Sequence, residues 1–196
     1  TKLQVAHTKL SHSRAFIVRA YLLQTHEMLF DAHNHAFRVL GGVPRRGIYD
    51  NMKTAVDKVR RGKERDVNAR FGAMVSHFLF EAEFCNPASG WEKGQVEKNV
   101  RDARHRLWQH VPAFATLAAL NDWLESRCTA LWREIDHGKL PGTVADAWMQ
   151  ERALLMPLPR PFDGFVEHAK RVSPTCLVTF ERVRYSVPAS YANRPV

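Results

Sequence analysis

The chain has 196 residues, of which 45% are hydrophobic and 25% charged. Those proportions describe a folded protein with a real core and exclude a disordered chain, a collagen-like repeat and a small disulfide scaffold. There are 29 Lys+Arg against 20 Asp+Glu, a formal net charge of +9, which suits a polyanionic partner and also a merely soluble basic protein. Cys85, Cys128 and Cys176 are far apart and form no CxxC, so they are read as reduced thiols of a cytosolic protein. No signal peptide is visible and no apolar run approaches a membrane span, so no membrane partner is expected. The opening Thr1-Lys2-Leu3, without Met, reads as the start of a piece cut from a longer protein.

Residues 2–10 and 14–23 predict two strands joined as a hairpin at His12-Ser13. Thr25 predicts the cap of a helix whose apolar face carries Leu29, Ala32, Ala36, Phe37 and Leu40, and Gly41-Gly42 ends it. A short strand, Gly47-Ile48-Tyr49-Asp50, leads into a polar, basic loop over 51–66. A helix over 69–79, a strand over 80–85 and a turn at Asn86-Pro87 follow. Helices are predicted over 91–108, with Val96, Val100, Ala103 and Leu107 on its apolar stripe, and over 114–135. Pro and Gly recur over 136–164, and short strands are expected at 169–172, 176–180 and 183–187, with Glu181-Arg182 as a hairpin turn. Strands alternating with helices predict a mixed α/β sheet with helices packed on it.

Two acids stand at element ends. Asp50 follows a strand and opens a basic loop, a place where a carboxylate can hold a hard cation and also where an Asp commonly starts a turn. Glu97 shares a helix stripe with Lys93, Arg101 and Arg104; that stripe suits phosphate bound around a metal and equally an exposed face of salt bridges. Taken together, carboxylates from two separate elements are what two-metal phosphoryl transfer requires, with surrounding cations on the DNA backbone.

Asp50-Asn51 resembles the second acidic motif of DDE transposases and retroviral integrases, and Gly94-Gln95-Val96-Glu97-Lys98 resembles the third. The stretches GVPRRGIYDNMKTAV and CNPASGWEKGQVEKNV are closer still to IstA-type transposases, and Val183-Arg184-Tyr185-Ser186-Val187-Pro188 resembles the start of the small β-barrel that follows their catalytic core. The resemblance implies an RNase H-like α/β fold, a mixed sheet with flanking helices that lacks its first strand. A catalytic core over 1–156, a linker over 157–165 and a truncated barrel over 166–196 are expected. It implies metal-dependent 3′-end cleavage and strand transfer of an insertion sequence, with Asp50 and Glu97 holding two Mg²⁺ (or Mn²⁺) ions. A third Asp is expected on a strand upstream of Thr1, and without it the chain alone should be inactive. Lys93, Arg101 and Arg104 would position DNA, with Lys98 as a further candidate and Arg60, Arg61 and Lys63 contacting phosphate from the basic loop. The implied partners are transposon-end and target DNA, further copies in a homo-oligomer and an IstB-type ATPase helper. The implied setting is the bacterial cytoplasm, nucleoid-associated when on DNA. One departure is the 46 residues between Asp50 and Glu97, more than is usual in integrases. Two other readings stay open: a non-catalytic DNA-binding or oligomerisation remnant, and an RNase H-like nuclease that cuts without joining.

The HNH letters at His33-Asn34-His35 put two histidines on different sides of a helix, which argues against a metal site and for surface or half-buried residues. Asp31 falls on a helix and cannot replace the missing acid. Most of the five tryptophans are expected in helix packing.

Overall fold

A computed structural model describes residues 2–49, 55–59, 65–85, 106–107, 112–165 and 168–196. The chain divides into two compact units, Thr1–Gly164 and Phe165–Val196.

In the first unit, β1 (Gln4–Lys9) and β2 (Phe16–Tyr21) form the expected antiparallel hairpin, with Gln4 opposite Tyr21 and Lys9 opposite Phe16. Its tip is held from both sides. Ser13 Oγ accepts from Ala15 N, and the Ser13 amide donates to Glu151 Oε2 at 2.9 Å. His137, buried, donates from Nε2 to the His12 carbonyl at 2.8 Å and accepts the Leu140 amide on Nδ1 at 3.0 Å.

Helix α1 (His26–Leu40) starts where the Thr25 hydroxyl accepts from the Met28 amide. It stops at Gly41, whose φ of 82° is left-handed and favours glycine. Strand β3 (Arg46–Tyr49) follows, then β4 (Val56–Val59) and β5 (Arg65–Val67), α2 (Ala69–Phe78) and β6 (Glu81–Phe84). The stretch expected as an irregular basic loop therefore contains an antiparallel hairpin, β4–β5. Alternation there is broken by a bulge between Val56 and Lys58, which hides the period of two from a sequence reading.

Helix α3 (Leu117–Glu134) lies on the β1–β2 hairpin, and Leu120, Leu124, Cys128 and Leu131 are buried on one face. Its side chains also close the outer edge of β2. The Asn121 amide accepts from Ala20 N at 2.8 Å and donates to Ala20 O at 3.0 Å, and Trp132 Nε1 donates to Phe16 O at 2.8 Å. Buried main-chain groups need such partners, and an edge so covered cannot recruit a foreign strand. Leu107, the last residue of the apolar stripe expected over 91–108, is buried in the same core; apart from Leu107 and the exposed Arg106, that helix lies outside the described residues.

Helix α4 (Val144–Arg152) was not foreseen. Its start is a capping box: Thr143 Oγ1 accepts from the Asp146 amide while Asp146 accepts from the Thr143 amide at 2.8 Å. The segment after it lies back across α1 and α2. Val43 and Met156 exchange main-chain bonds, Asn34 brackets the main chain of Phe162 at 2.8 and 2.9 Å, and the Phe162 ring meets Phe30 edge-on at 5.0 Å.

Among the described residues, β1–β2 and β3–β6 form separate two-stranded sheets, so the single mixed sheet expected from the sequence is in two pieces.

The second unit is a hairpin of β7 (Leu177–Phe180) and β8 (Val183–Ser186), turned by Glu181 and Arg182 at φ 47° and 69°. Two positive φ values at a two-residue turn match the right-handed twist of the strands. The strand expected at 169–172 is replaced by a single bridge, Arg171 to Pro195, although Lys170 and Val196 exchange main-chain bonds at 2.9 Å. No closed barrel is present among the described residues.

Candidate active site at the ends of two parallel strands

Strands β3 and β6 run parallel with Arg46 opposite Glu81 and Tyr49 opposite Phe84. One more bond, from the Cys85 amide to the Tyr49 carbonyl at 2.9 Å, carries the pairing past the last strand residue. The chain therefore leaves both strands at the same edge, after Tyr49 and after Cys85. Helix α2 makes this possible by returning the chain to the start of β6, as a crossover between parallel strands must.

Tyr49 is the anchor of that edge. Its ring meets Phe71 edge-on at 5.1 Å and lies near Phe80 and Phe84 at 6.2 and 6.0 Å. Its hydroxyl is 2.9 Å from His33 Nε2, while His33 Nδ1 is 2.7 Å from the Leu29 carbonyl. A carbonyl only accepts, so Nδ1 carries the proton and Nε2 accepts from the phenol. Burial pushes the His33 imidazole below its ordinary range and the Tyr49 phenol above its own. Both side chains are therefore neutral and matched.

His33 and His35 are both buried, where surface or half-buried positions were expected. They do turn to different neighbours: His33 to Tyr49, and His35 to Arg19, Arg38 and Glu125. The signal for His33 was present in the sequence, because it completes the Leu29, His33, Phe37 row at helical spacing. Asp31 is on α1 as expected, and its Oδ2 is engaged at 2.7 Å by both Arg19 Nε and the Tyr21 hydroxyl. Trp132 and Trp148 donate to main-chain carbonyls and Trp123 packs on the core, so these three are structural.

The acids and cations singled out by sequence fall elsewhere. Asp50, Glu97, Lys93, Lys98, Arg101, Arg104, Arg60, Arg61 and Lys63 all lie outside the described residues. What the structure supplies is the frame on either side: Tyr49 immediately before Asp50, and Cys85 before the segment that leads to Glu97. In the second unit, Lys170, Arg171, Arg182, Arg184 and Arg194 are exposed with Glu181 as the single acid among the described residues, a basic set the sequence reading did not single out.

A chain of the simian T-cell lymphotropic virus intasome, solved by CryoEM in complex with PP2A regulatory subunit B56 gamma, shares the fold with TM-score 0.56 and 13% identity, over 87% of this chain and 61% of that one. The family model of the Mu transposase C-terminal domain matches residues 158–196. A transposase of Aminobacter aminovorans is 76% identical over 100% of this chain and 39% of its own length. The transposase for insertion sequences IS1326/IS1353 of Pseudomonas aeruginosa is 67% identical over 100% of this chain and 38% of its own length. The fold is thus of the class found in an intasome. Along its whole length the chain is similar to insertion-sequence transposases of the IS1326/IS21 type, and it spans about two fifths of the length of the two relatives above. Among the described residues no helix is long and apolar enough to cross a membrane.

Proposed function

We propose that this chain is the catalytic-core portion of a transposase that cleaves the 3′ ends of an insertion sequence and joins them to target DNA. The observation that carries this reading is the common edge at which β3 and β6 end, held by the Cys85–Tyr49 bond. In open α/β sheets, groups that follow adjacent parallel strands at their carboxyl ends converge on one site.

On this reading Asp50 follows β3 into the site and Glu97 reaches it from the segment after β6. Their carboxylates are hard oxygen donors of the kind Mg²⁺ or Mn²⁺ takes, two ions being shared with a further Asp upstream of residue 1. When bound, the ions activate the attacking oxygen and stabilise the leaving one. Lys93, Lys98, Arg101 and Arg104 hold phosphates beside the acids, and Arg60, Arg61 and Lys63 do so from the connection between β4 and β5. The core, linker and barrel-like unit correspond to residues 1–156, 157–165 and 166–196. Pairing two element ends requires more than one copy, so the active form is a homo-oligomer on DNA, with an IstB-type ATPase as helper.

The test is strand transfer by the full-length transposase in Mg²⁺ or Mn²⁺, with and without Glu97→Gln. Loss of joining with DNA binding retained supports the assignment, because the variant removes a metal ligand and not a phosphate contact. Joining at wild-type level by Glu97→Gln overturns it.

A further inference from the structure

The segment from Met156 to Gly164 crosses α1 and α2 with its main chain gripped at alternate positions. Met156 exchanges main-chain bonds with Val43, and the Arg160 carbonyl accepts from His77 Nε2 at 2.8 Å. Asn34 brackets Phe162, and the Gly164 carbonyl accepts from Arg70 Nη2 at 2.8 Å. Between these points stand Pro157, Pro159 and Pro161. A proline has no N–H to satisfy, and its fixed φ lowers the entropy lost when an extended segment is ordered. A segment that served only as a flexible connection needs none of these grips.

The grips also give the segment a direction. His77 is in the last turn of α2, and Arg70 is the second residue of that helix. From Arg70 to His77 a helix rises about 10 Å, a distance that an extended chain from Arg160 to Gly164, at most about 14 Å long, can cover. The segment therefore runs along α2 toward its N-terminus. That end lies at the edge where β3 and β6 stop, because Phe71 meets the rings of Tyr49 and Phe84 at 5.1 and 5.9 Å. Gly164 is fitted to its place twice over. Its φ is 63°, and a Cβ there would collide with the Phe30 ring. The Arg70 guanidinium, which lies over that ring and also bonds to Glu27, closes the grip.

We propose that Met156–Gly164 is a fixed strut that delivers the chain to the active-site edge, with Asn34, His77 and Arg70 as its positioning residues. The second unit begins at the next residue, Phe165, so its tether starts from a set point beside the strand ends. A free connector of about nine residues would spread that starting point over about 15–18 Å. The exposed Lys170, Arg171, Arg182, Arg184 and Arg194 of the second unit are then brought to the same DNA as the proposed site, where they take phosphate. The strut itself stands on the hydrogen bonds above; its part in joining DNA rests on the proposed function.

The experiment uses the full-length transposase as wild type, as Asn34→Ala, and with Gly-Ser-Gly-Ser inserted between Gly164 and Phe165. Hydrogen exchange of the Phe162 amide, which donates to Asn34 Oδ1, reads the strut. That amide is expected to be protected in wild type and in the insertion form, and to exchange at least about tenfold faster in Asn34→Ala. An unprotected Phe162 amide in wild type, or one that Asn34→Ala leaves unchanged, overturns the strut. Strand transfer reads its use. Both altered forms are expected to join at least about tenfold more slowly at saturating DNA, with the DNA concentration for half-maximal rate within about twofold of wild type. The insertion form should do so at an unchanged urea midpoint, which separates positioning from stability. Joining by the insertion form at the wild-type rate overturns the positioning role. A wild type that does not join defeats the proposed function instead, and exchange at Phe162 still decides the strut.

Discussion

The Nε2 atom of His33 and the phenolic oxygen of Tyr49 lie 2.9 Å apart among aromatic side chains, and they tie the middle of α1 to the last residue of β3. Because His33 Nδ1 is committed to the Leu29 carbonyl, Nε2 has no other use than to accept this hydroxyl. Tyr49→Phe keeps the ring and leaves a buried acceptor without a donor. A destabilisation of about 1–3 kcal/mol is expected, read as a lower urea midpoint at unchanged slope. A midpoint equal to wild type would show that the bond carries no weight.

The pH dependence of stability follows from the same burial. His33 is held below its ordinary range by desolvation, and His7 is lowered to about 4, first by burial and then by Lys9. The unfolded chain protonates these rings near 6.5 while the folded chain does not. Unfolding therefore takes up protons below that pH, and the contribution is complete above about 6.5 and falls away as pH drops toward 4. Urea midpoints are expected to fall between pH 7.5 and 5, and His7→Gln to flatten the slope. A profile flat over that window, or rising toward acid, contradicts the assignment.

Loss of the α4 cap is a local test of a local device. Thr143→Ala removes the hydroxyl that accepts from the Asp146 amide. About 1 kcal/mol should be lost. The Asp146 carboxyl, now held low by its bonds to the Thr143 amide and hydroxyl, should also titrate higher by NMR, since the hydroxyl bond is gone. An unmoved titration would show that the hydroxyl contributes nothing.

Thiol chemistry separates the three cysteines. Cys128 is buried against the hairpin, which pushes its thiol up to about 12. Cys85 is buried after β6, and Cys176 is half-buried in the second unit. In the native protein a disulfide reagent should label Cys176 first, with Cys128 reacting only on unfolding. Prompt labelling of Cys128 would contradict the packing of α3.

DNA affinity tests the proposed phosphate contacts. Arg101→Ala should weaken binding by the full-length protein across sequences alike and reduce the slope of log affinity against log salt by about one charge. A change in sequence preference with the slope unaltered would assign Arg101 to base contacts instead.

Much of the architecture was legible in the residues. Thr25 and Gly41 bracket α1 because a cap and a left-handed stop are local chemistry, and the stripe from Leu117 to Leu131 marks α3 because one helix face carries its whole apolar load. Three elements escaped: β4, its partner β5, and α4. The bulge in β4 interrupts the alternation that would have revealed it, and α4 is short enough that nearby Pro and Gly outweighed its capping box at Thr143-Asp146. The division of the sheet escaped as well, since strand order is a long-range property that no local pattern encodes. Of the candidate site, the acids were found as letters, but the Tyr49–His33 anchor was not, because a histidine among apolar neighbours reads as polar until its partner is known.

The hairpin between β3 and α2 is closed at its base: the Asn68 amide donates to the Ala55 carbonyl at 3.0 Å, and the Asn68 side chain then caps α2 through the amides of Arg70 and Phe71. Whatever length of chain lies beyond that clasp is an excursion that returns to its starting point. Lengthening or shortening it leaves the register of β3 against β6 as it was. The long separation in sequence between Asp50 and Glu97 is then no measure of their separation in space.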